Sequence, residues 1–481
     1  MRELTHNNLT ILTDFYELTM INGYFSSEYH DKTAYFDMFF RRVPDGGGFA
    51  ICAGLEQFIE YIENIHFTQS DIDFLRNKKI FSEDFLQYLK DFKFNCDVWA
   101  IPEGTPIFPN QPLITVHGPA MQAQFIETMT LLAINHQSLI ATKANRIVSA
   151  AQGRTVMEFG SRRAHGYDGA IYGARAAYIG GIDGTSCVIA DRDFGIPTLG
   201  TMAHSWVQMF DDEISAFRAY ACKYPDDCTL LVDTFNTLKS GIPNAIKVFN
   251  EEIIPRGFRP KAIRIDSGDI TFLSKKARKI LDDAGFIDCK IMASNSLDEY
   301  IIRDMIIQGA LVDSFGVGER LITAASDPVF SGVYKLVAVD SDDGIIPKIK
   351  LSENITKLTI PGYKCPWRLF DRESGKAIAD VITLNDETID DTQPYEIFDP
   401  DHIWKRKAIT NFIAKPLQVQ IFKNGNSCYK SPSVEEIRNR TKEGVDSLWD
   451  EVTRFENPHK YCVYLSQNLW DQRQALLAVS I

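Results

Sequence analysis

No C-x-x-C pair occurs among the nine cysteines, at positions 52, 96, 187, 222, 228, 289, 365, 428 and 462, and their number is odd. That scatter excludes a disulfide framework and fits reduced, mostly buried thiols in a cytoplasmic protein. No stretch approaches the ~18 unbroken apolar residues of a membrane span. The start, MRELTHNNLTILTDFYELTM, has no basic segment followed by an apolar one, so no secretory signal is expected. Basic charge is in deficit: 51 Lys+Arg stand against 64 Asp+Glu, a formal net charge of −13. Nucleic acid and anionic membrane surfaces are therefore excluded as general partners. Small anions are not, because a pocket can oppose the global sign. The G-x-x-x-x-G-K-[ST] phosphate loop and the H-E-x-x-H zinc helix are also missing.

What remains is a chain of 481 residues, 45% hydrophobic and 11% aromatic, able to bury a large core. Three zones differ in texture. Residues 1–150 mix amphipathic segments with the proline-punctuated stretch Val98 to Gly118, which predicts a mixed α+β domain. Residues 151–340 alternate short apolar runs with helical patterns, the mark of βα units and a parallel sheet. Strands are expected at 155–159, 197–201, 229–233, 262–266, 290–294, 311–315 and, last, 334–339. A helix is expected from about Phe272 to a stop at Gly285, and Ser296 with Glu299 reads as a capping box for the next. An α/β barrel and a doubly wound sheet both suit this pattern. Residues 341–481 form a less regular C-terminal extension. Its acidic run, 386–401, reads as a solvated loop, with a metal site as the alternative.

Polar and glycine residues cluster after nearly every expected strand of the middle zone. They are Gly160-Ser161-Arg162-Arg163, Thr201 to His204, Asp233-Thr234, Asp266 to Asp269, Ser294-Asn295 and Gly316-Val317-Gly318. Both candidate folds bind ligands at the C-terminal strand ends, so six such loops predict one composite small-molecule site. Gly316 and Gly318 let backbone N–H groups approach a phosphate, or simply make a tight turn. Arg162 and Arg163 suit bidentate phosphate or carboxylate binding, or an ion-pair network. Arg264, inside an apolar strand and on the same face as Asp266, is either a buried salt bridge or a ligand clamp. His204 reads as a hydrogen-bonded residue, an acid or base, or a nucleophile.

Taken in order, LTDFYELTM around Tyr16, FDMFFRRVP (36–44), EFGSRRAHGYDGA (158–170), GTMAHSW (200–206), LVDTFNT (231–237), IRIDSGD (263–269), SFGVGE (314–319) and GVYKLVAV (332–339) resemble the nicotinate phosphoribosyltransferases. KLTIPGYK (357–364) resembles that family's C-terminal section. The resemblance implies an irregular TIM-like α/β barrel with an N-terminal mixed domain and a C-terminal extension. It implies condensation of nicotinate with phosphoribosyl pyrophosphate to nicotinate mononucleotide and pyrophosphate, in NAD biosynthesis. ATP hydrolysis would be coupled through a phosphohistidine at His204, with Mg²⁺ expected near Asp266. Tyr16 would stack on the pyridine ring, reaching the site of a neighbouring subunit in a homodimer. Thr201 and Arg264 match nicotinate-contacting positions, Arg162 a phosphate- or ligand-binding arginine, and Asn295, Gly316 and Gly318 further substrate-binding positions. Glu319 stands where some relatives have threonine. Alternatives are a nicotinamide phosphoribosyltransferase, for which Asp183 is the candidate amide partner, a quinolinate-type enzyme, and a non-catalytic nucleotide sensor.

Overall fold

The computed structural model describes residues 8–352, 358–400 and 402–479. Residues 1–7, Lys357 of KLTIPGYK and Asp401 of the acidic run lie outside the described residues. Two compact units divide the chain: residues 140–328 form one, and residues 1–139 with 329–481 form the other.

The 140–328 unit is built on a six-stranded parallel sheet. Its strands are β1 (Thr155–Glu158), β2 (Gly184–Thr185), β3 (Thr229–Leu231), β4 (Ala262–Ile265), β5 (Lys290–Ser294) and β6 (Ser314–Val317). Their order across the sheet is β2-β1-β6-β5-β4-β3. Every step between consecutive paired strands runs in the same direction, and the first strand pairs with the last. Right-handed crossovers then place all helices on one side, which curves the sheet into a barrel rather than winding it doubly. Apolar strand residues such as Val156, Leu230, Ile263, Ile291 and Phe315 are fully buried, as strands covered on both faces require. The helices used below are α1 (Tyr167–Ile179), α2 (His204–Gln208), α3 (Ile270–Asp283), α4 (Glu299–Ile307) and α5 (Glu319–Ile322).

Several expectations need correction. The 197–201 segment contributes only a parallel bridge, Thr198 to Thr185, so the barrel is irregular there. Residues 334–339 lie in an antiparallel strand, Gly332–Ser341, paired with Thr33–Phe40 in the other unit. Its partner lies about three hundred residues earlier, which no local pattern reveals. The 311–315 strand begins at Ser314 and runs through Gly316. Glycine normally weakens a strand, but a Cβ at Gly316 would lie 2.6 Å from the Phe159 ring, so the ring needs this residue bare. The cap of α4 is Asp298, whose carboxylate accepts the Ile301 amide at 2.9 Å; Glu299 is instead fully buried. Asp269 caps α3, which starts at Ile270, two residues ahead of the expected Phe272, and Gly285 takes the left-handed φ of +84° just after its end.

The other unit carries a wholly antiparallel seven-stranded sheet. Its order is Gly344–Pro347, Gly332–Ser341, Thr33–Phe40, Ile114–Pro119, Asp97–Ala100, Val419–Lys423 and Asn426–Ser427. A four-stranded sheet in the C-terminal part is held by a buried cluster. Arg368 forms two 2.8 Å bonds to Asp380, which also accepts the Tyr461 hydroxyl at 2.9 Å. All nine cysteines are free thiols, and burial pushes Cys228 and Cys289 up to about 12. Among the described residues no helix is long and apolar enough to cross a membrane.

Candidate functional site

The C-terminal ends of the barrel strands surround a cavity of about 540 Å³. Eight of the expected site residues line it: Arg162, Thr201, His204, Arg264, Asp266, Asn295, Gly316 and Gly318. Arg163, Ser294 and Glu319 join them. Tyr16 belongs to the other unit, where it is 46% exposed and lines a cavity with Met20, Glu127 and Tyr334. Its hydroxyl is held well above the ordinary tyrosine range, by burial first and then by Glu127.

Arg264 projects from the middle of β4, paired in register with Leu231 on one side and Met292 on the other. Its guanidinium is engaged on every edge. Nε donates to Ser294 Oγ at 2.8 Å, Nη1 to Thr201 Oγ1 at 2.9 Å, and Nη2 to Asp266 Oδ1 at 2.8 Å. Ser294 also donates to the same Asp266 oxygen. The Phe159 ring lies 5.7 Å from the guanidinium carbon, forming a flat wall against the cation. The two readings of Arg264 therefore meet in one arrangement: a largely buried ion pair fixes the fork, and its acceptors include a threonine hydroxyl that a ligand carboxylate can displace.

His204 opens the short helix α2. Its Nε2 lies 3.2 Å from Asp233 Oδ1, and the histidine is 39% exposed while the aspartate side chain is 1%. A carboxylate only accepts, so Nε2 carries the proton in this bond, and in the neutral ring the lone pair is on Nδ1. The second oxygen of Asp233 accepts the Asp266 amide at 2.8 Å and the Ser267 hydroxyl at 2.6 Å. Asp233 thus ties the histidine to the loop bearing Asp266. Its place at a strand end is legible in the sequence and its role is not, since nothing in LVDTFNT shows which residue it meets.

Glu158 is the second residue whose part was not legible. Fully buried at the end of β1, it accepts the Gly160 amide and, at 2.6 Å, the Thr185 hydroxyl. Burial raises its carboxyl above the ordinary range, against those bonds and the nearby Arg162. Its effect is to anchor the turn at Ser161–Arg163, which presents the exposed Arg162 and Arg163 to the cavity. A Cβ at Gly160 would lie 2.8 Å from the Gly318 carbonyl oxygen, so the two loops close on each other only because residue 160 is glycine. Across the cavity mouth Glu319 approaches Arg163 at 3.9 Å and accepts Ser296 Oγ at 3.4 Å. Asp183, the candidate amide partner, accepts the Val156 amide at 2.9 Å.

The site combines an aromatic-backed arginine fork, a carboxylate, an oriented histidine and two further arginines. Its arginines suit a small, flat carboxylate and phosphate groups, with an imidazole beside them. Among the described residues no group of three or more His, Cys, Asp or Glu side chains forms a metal cage.

The nicotinate phosphoribosyltransferase (NAPRTase) N-terminal domain matches residues 11–135, the NAPRTase family model residues 155–341 and the C-terminal domain residues 363–473. A nicotinate phosphoribosyltransferase of Bacillus subtilis is 43% identical over 97% of this chain and 95% of its own length. A human nicotinate phosphoribosyltransferase is 30% identical over 95% of each chain. The crystal structure of human nicotinic acid phosphoribosyltransferase superposes with a TM-score of 0.85 at 28% identity, over 97% of this chain and all of that one. A nicotinate-nucleotide pyrophosphorylase from Pyrococcus furiosus, 23% identical with a TM-score of 0.70 over 93% of this chain and 97% of its own, shares the fold. With all three family models matched in order, and with a relative this similar over almost the full length of both chains, the chain belongs to the nicotinate phosphoribosyltransferase family.

Proposed function

We propose that the chain condenses nicotinate with 5-phosphoribosyl 1-pyrophosphate, releasing nicotinate mononucleotide and pyrophosphate, and that ATP hydrolysis drives this through phosphorylation of His204. The observation that carries the reading is the convergence of Arg264, Asp266 and the His204–Asp233 pair in one cavity at the strand ends. The pyridine nitrogen attacks C1 of the ribose as the bond to pyrophosphate breaks, so positive charge develops on the sugar. Asp266 stabilises that charge electrostatically. Arg264 and Thr201 take the nicotinate carboxylate, Phe159 backs the ring's binding region, and Arg162 holds substrate phosphate.

Hydrogen bonds to Asp266 converge on Oδ1, and its side chain is 27% exposed, which suits a carboxylate able to hold a cation. Asp266 would hold Mg²⁺, whose chemistry there is to neutralise the departing pyrophosphate. In the coupling step Nδ1 of His204 attacks the γ-phosphorus of ATP and ADP leaves. The Nε2 proton stays on the ring, held by Asp233. The phosphoryl group adds charge close to Asp266 and reorganises the cationic side of the cavity.

Tyr16 would supply the second face of a ring sandwich in a homodimer with shared sites. Mixing Tyr16→Ala and His204→Ala chains tests this. Recovery of about a quarter of wild-type ATP-stimulated turnover is expected under random subunit exchange, and no gain over the separate variants if each site is self-contained.

The decisive assay is pyrophosphate release with nicotinate or nicotinamide, each with and without ATP. Release with nicotinate, stimulated by ATP, is expected. His204→Ala should abolish both ATP turnover and the stimulation while leaving slow basal release; intact coupling in that variant sinks the phosphohistidine.

A further inference from the structure

The turn that follows β5 pays for its shape in backbone strain. Asn295 and Ser296, both lining the cavity, have φ of +102° and +42°, a region that residues with a Cβ rarely adopt. Two successive residues stay there only if the chain on either side leaves no alternative. On one side Ser294 is buried and bonded to Asp266. On the other, Leu297, Asp298 and Glu299 are all buried. Glu299 accepts Lys143 Nζ at 2.7 Å and Arg146 Nε at 3.3 Å, which pins the start of α4.

Asp298 has two functions, one on each oxygen. Oδ1 caps α4 through the Ile301 amide, and Oδ2 accepts Arg320 Nη1. Arg320 is the second residue of α5, which begins directly after Gly318, the residue that follows β6. The ion pair therefore joins two cavity-lining turns, the one after β5 and the one after β6. The weaker contact from Ser296 Oγ to Glu319 joins the same two turns nearer the cavity. Capping alone would need only the first oxygen, and either serine or asparagine supplies that. The charge on Asp298 is explained by the partner across the gap.

We propose that the Asp298–Arg320 pair is a positioning device: it latches the strained Asn295–Ser296 turn to the turn at Gly318 and so sets the affinity of the cavity for phosphoribosyl pyrophosphate. The inference rests on the phosphoribosyl-transfer reading above. Neither residue lines the cavity. Both act through neighbours that offer it neutral donors, the Asn295 amide, the Ser296 hydroxyl and the backbone of Gly316 and Gly318. Such donors bind phosphate only when their directions are fixed in advance.

The test compares Arg320→Ala, Asp298→Asn, the double variant and Arg320→Lys. Asparagine keeps the cap and removes the charge. A rise of about five- to tenfold in KM for phosphoribosyl pyrophosphate is expected in each of the first two, with kcat within about twofold. The double variant should be no worse than the more affected single variant, because the second change finds the pair already broken. Lysine at 320 should restore most of the loss. An unchanged KM, or kcat and melting temperature falling together without a KM effect, overturns the proposal. Hydrogen exchange of the wild-type and Arg320→Ala proteins reads the latch without turnover. Faster exchange confined to amides 295–297 is expected, and identical exchange overturns it. If the wild-type protein releases no pyrophosphate, the catalytic reading falls alone and the exchange comparison still decides whether the latch exists.

Discussion

At the scale of single residues, the site is defined by which partner each charged group has. Arg264 and Asp266 were both legible from IRIDSGD, since alternation along a strand puts them on one face. What the strand could not show is that Ser294, at the end of β5, and Thr201, in the irregular segment after the Thr198 bridge, complete the fork. His204 was legible only through the resemblance, because a histidine after a strand has several ordinary explanations. Its partner Asp233, 1% exposed, supplies the physical reason for its tautomer. Asp233→Asn replaces one accepting oxygen by an amide donor, which disfavours Nε2–H and with it the lone pair on Nδ1. Phosphorylation of the protein by labelled ATP should fall by on the order of 10²–10⁴-fold, the scale seen when an orienting aspartate is lost. The melting temperature separates this from unfolding, since Asp233 also holds the Asp266 amide. Undiminished labelling of a folded variant would remove Asp233 from the mechanism.

At the scale of elements, the βα rhythm of the middle zone is legible as a parallel sheet, whereas the residues leave barrel and doubly wound forms open and only the family resemblance points to the barrel. That choice lies in strand order, which depends on pairings between β1 and β6 some 160 residues apart in the chain. Boundaries failed where a residue serves a neighbour rather than its own element. Gly316 looks like a strand terminator and is a strand residue, because Phe159 occupies the space where its Cβ would be. Gly316→Ala should therefore act through that ring. Overpacking of this kind typically costs about 1–3 kcal/mol, and displacement of Phe159 removes the wall behind Arg264. A lowered melting temperature with a raised KM for nicotinate is the expected pair of results. A fully wild-type KM would show that the ring adjusts without disturbing the fork.

At the scale of the molecule, the net charge of −13 describes the outer surface and not the site, where Arg162, Arg163 and Arg264 gather. One buried acid links the whole fold to pH. Glu17, fully buried on the helix Phe15–Phe25, has its carboxyl pushed up to about 7, by burial first, against hydrogen bonds from Thr13 and Thr128. The folded state thus prefers the protonated form more than the unfolded chain does. Its contribution is complete below about pH 4.5, is lost as pH rises through about 7, and is constant above. Glu17→Gln should flatten the melting temperature between pH 5 and 7 and raise it, relative to wild type, above 7. Parallel pH profiles for the two proteins would show that Glu17 ionises without cost.

The order of synthesis gives the divided unit a further meaning. The strand Thr33–Phe40 lies inside its sheet, with Ile114–Pro119 on one side and Gly332–Ser341 on the other. The first neighbour is made within about eighty residues, and the second only after the entire barrel has left the ribosome. Until then a mostly apolar strand, TAYFDMFF, presents an open row of backbone donors and acceptors, a template for pairing with any other extended chain. A premature stop anywhere between residues 120 and 331 would leave that edge permanently bare. The nascent chain is consequently most exposed to aggregation while its catalytic barrel is being made, and the strand that ends this exposure comes immediately after the barrel is finished.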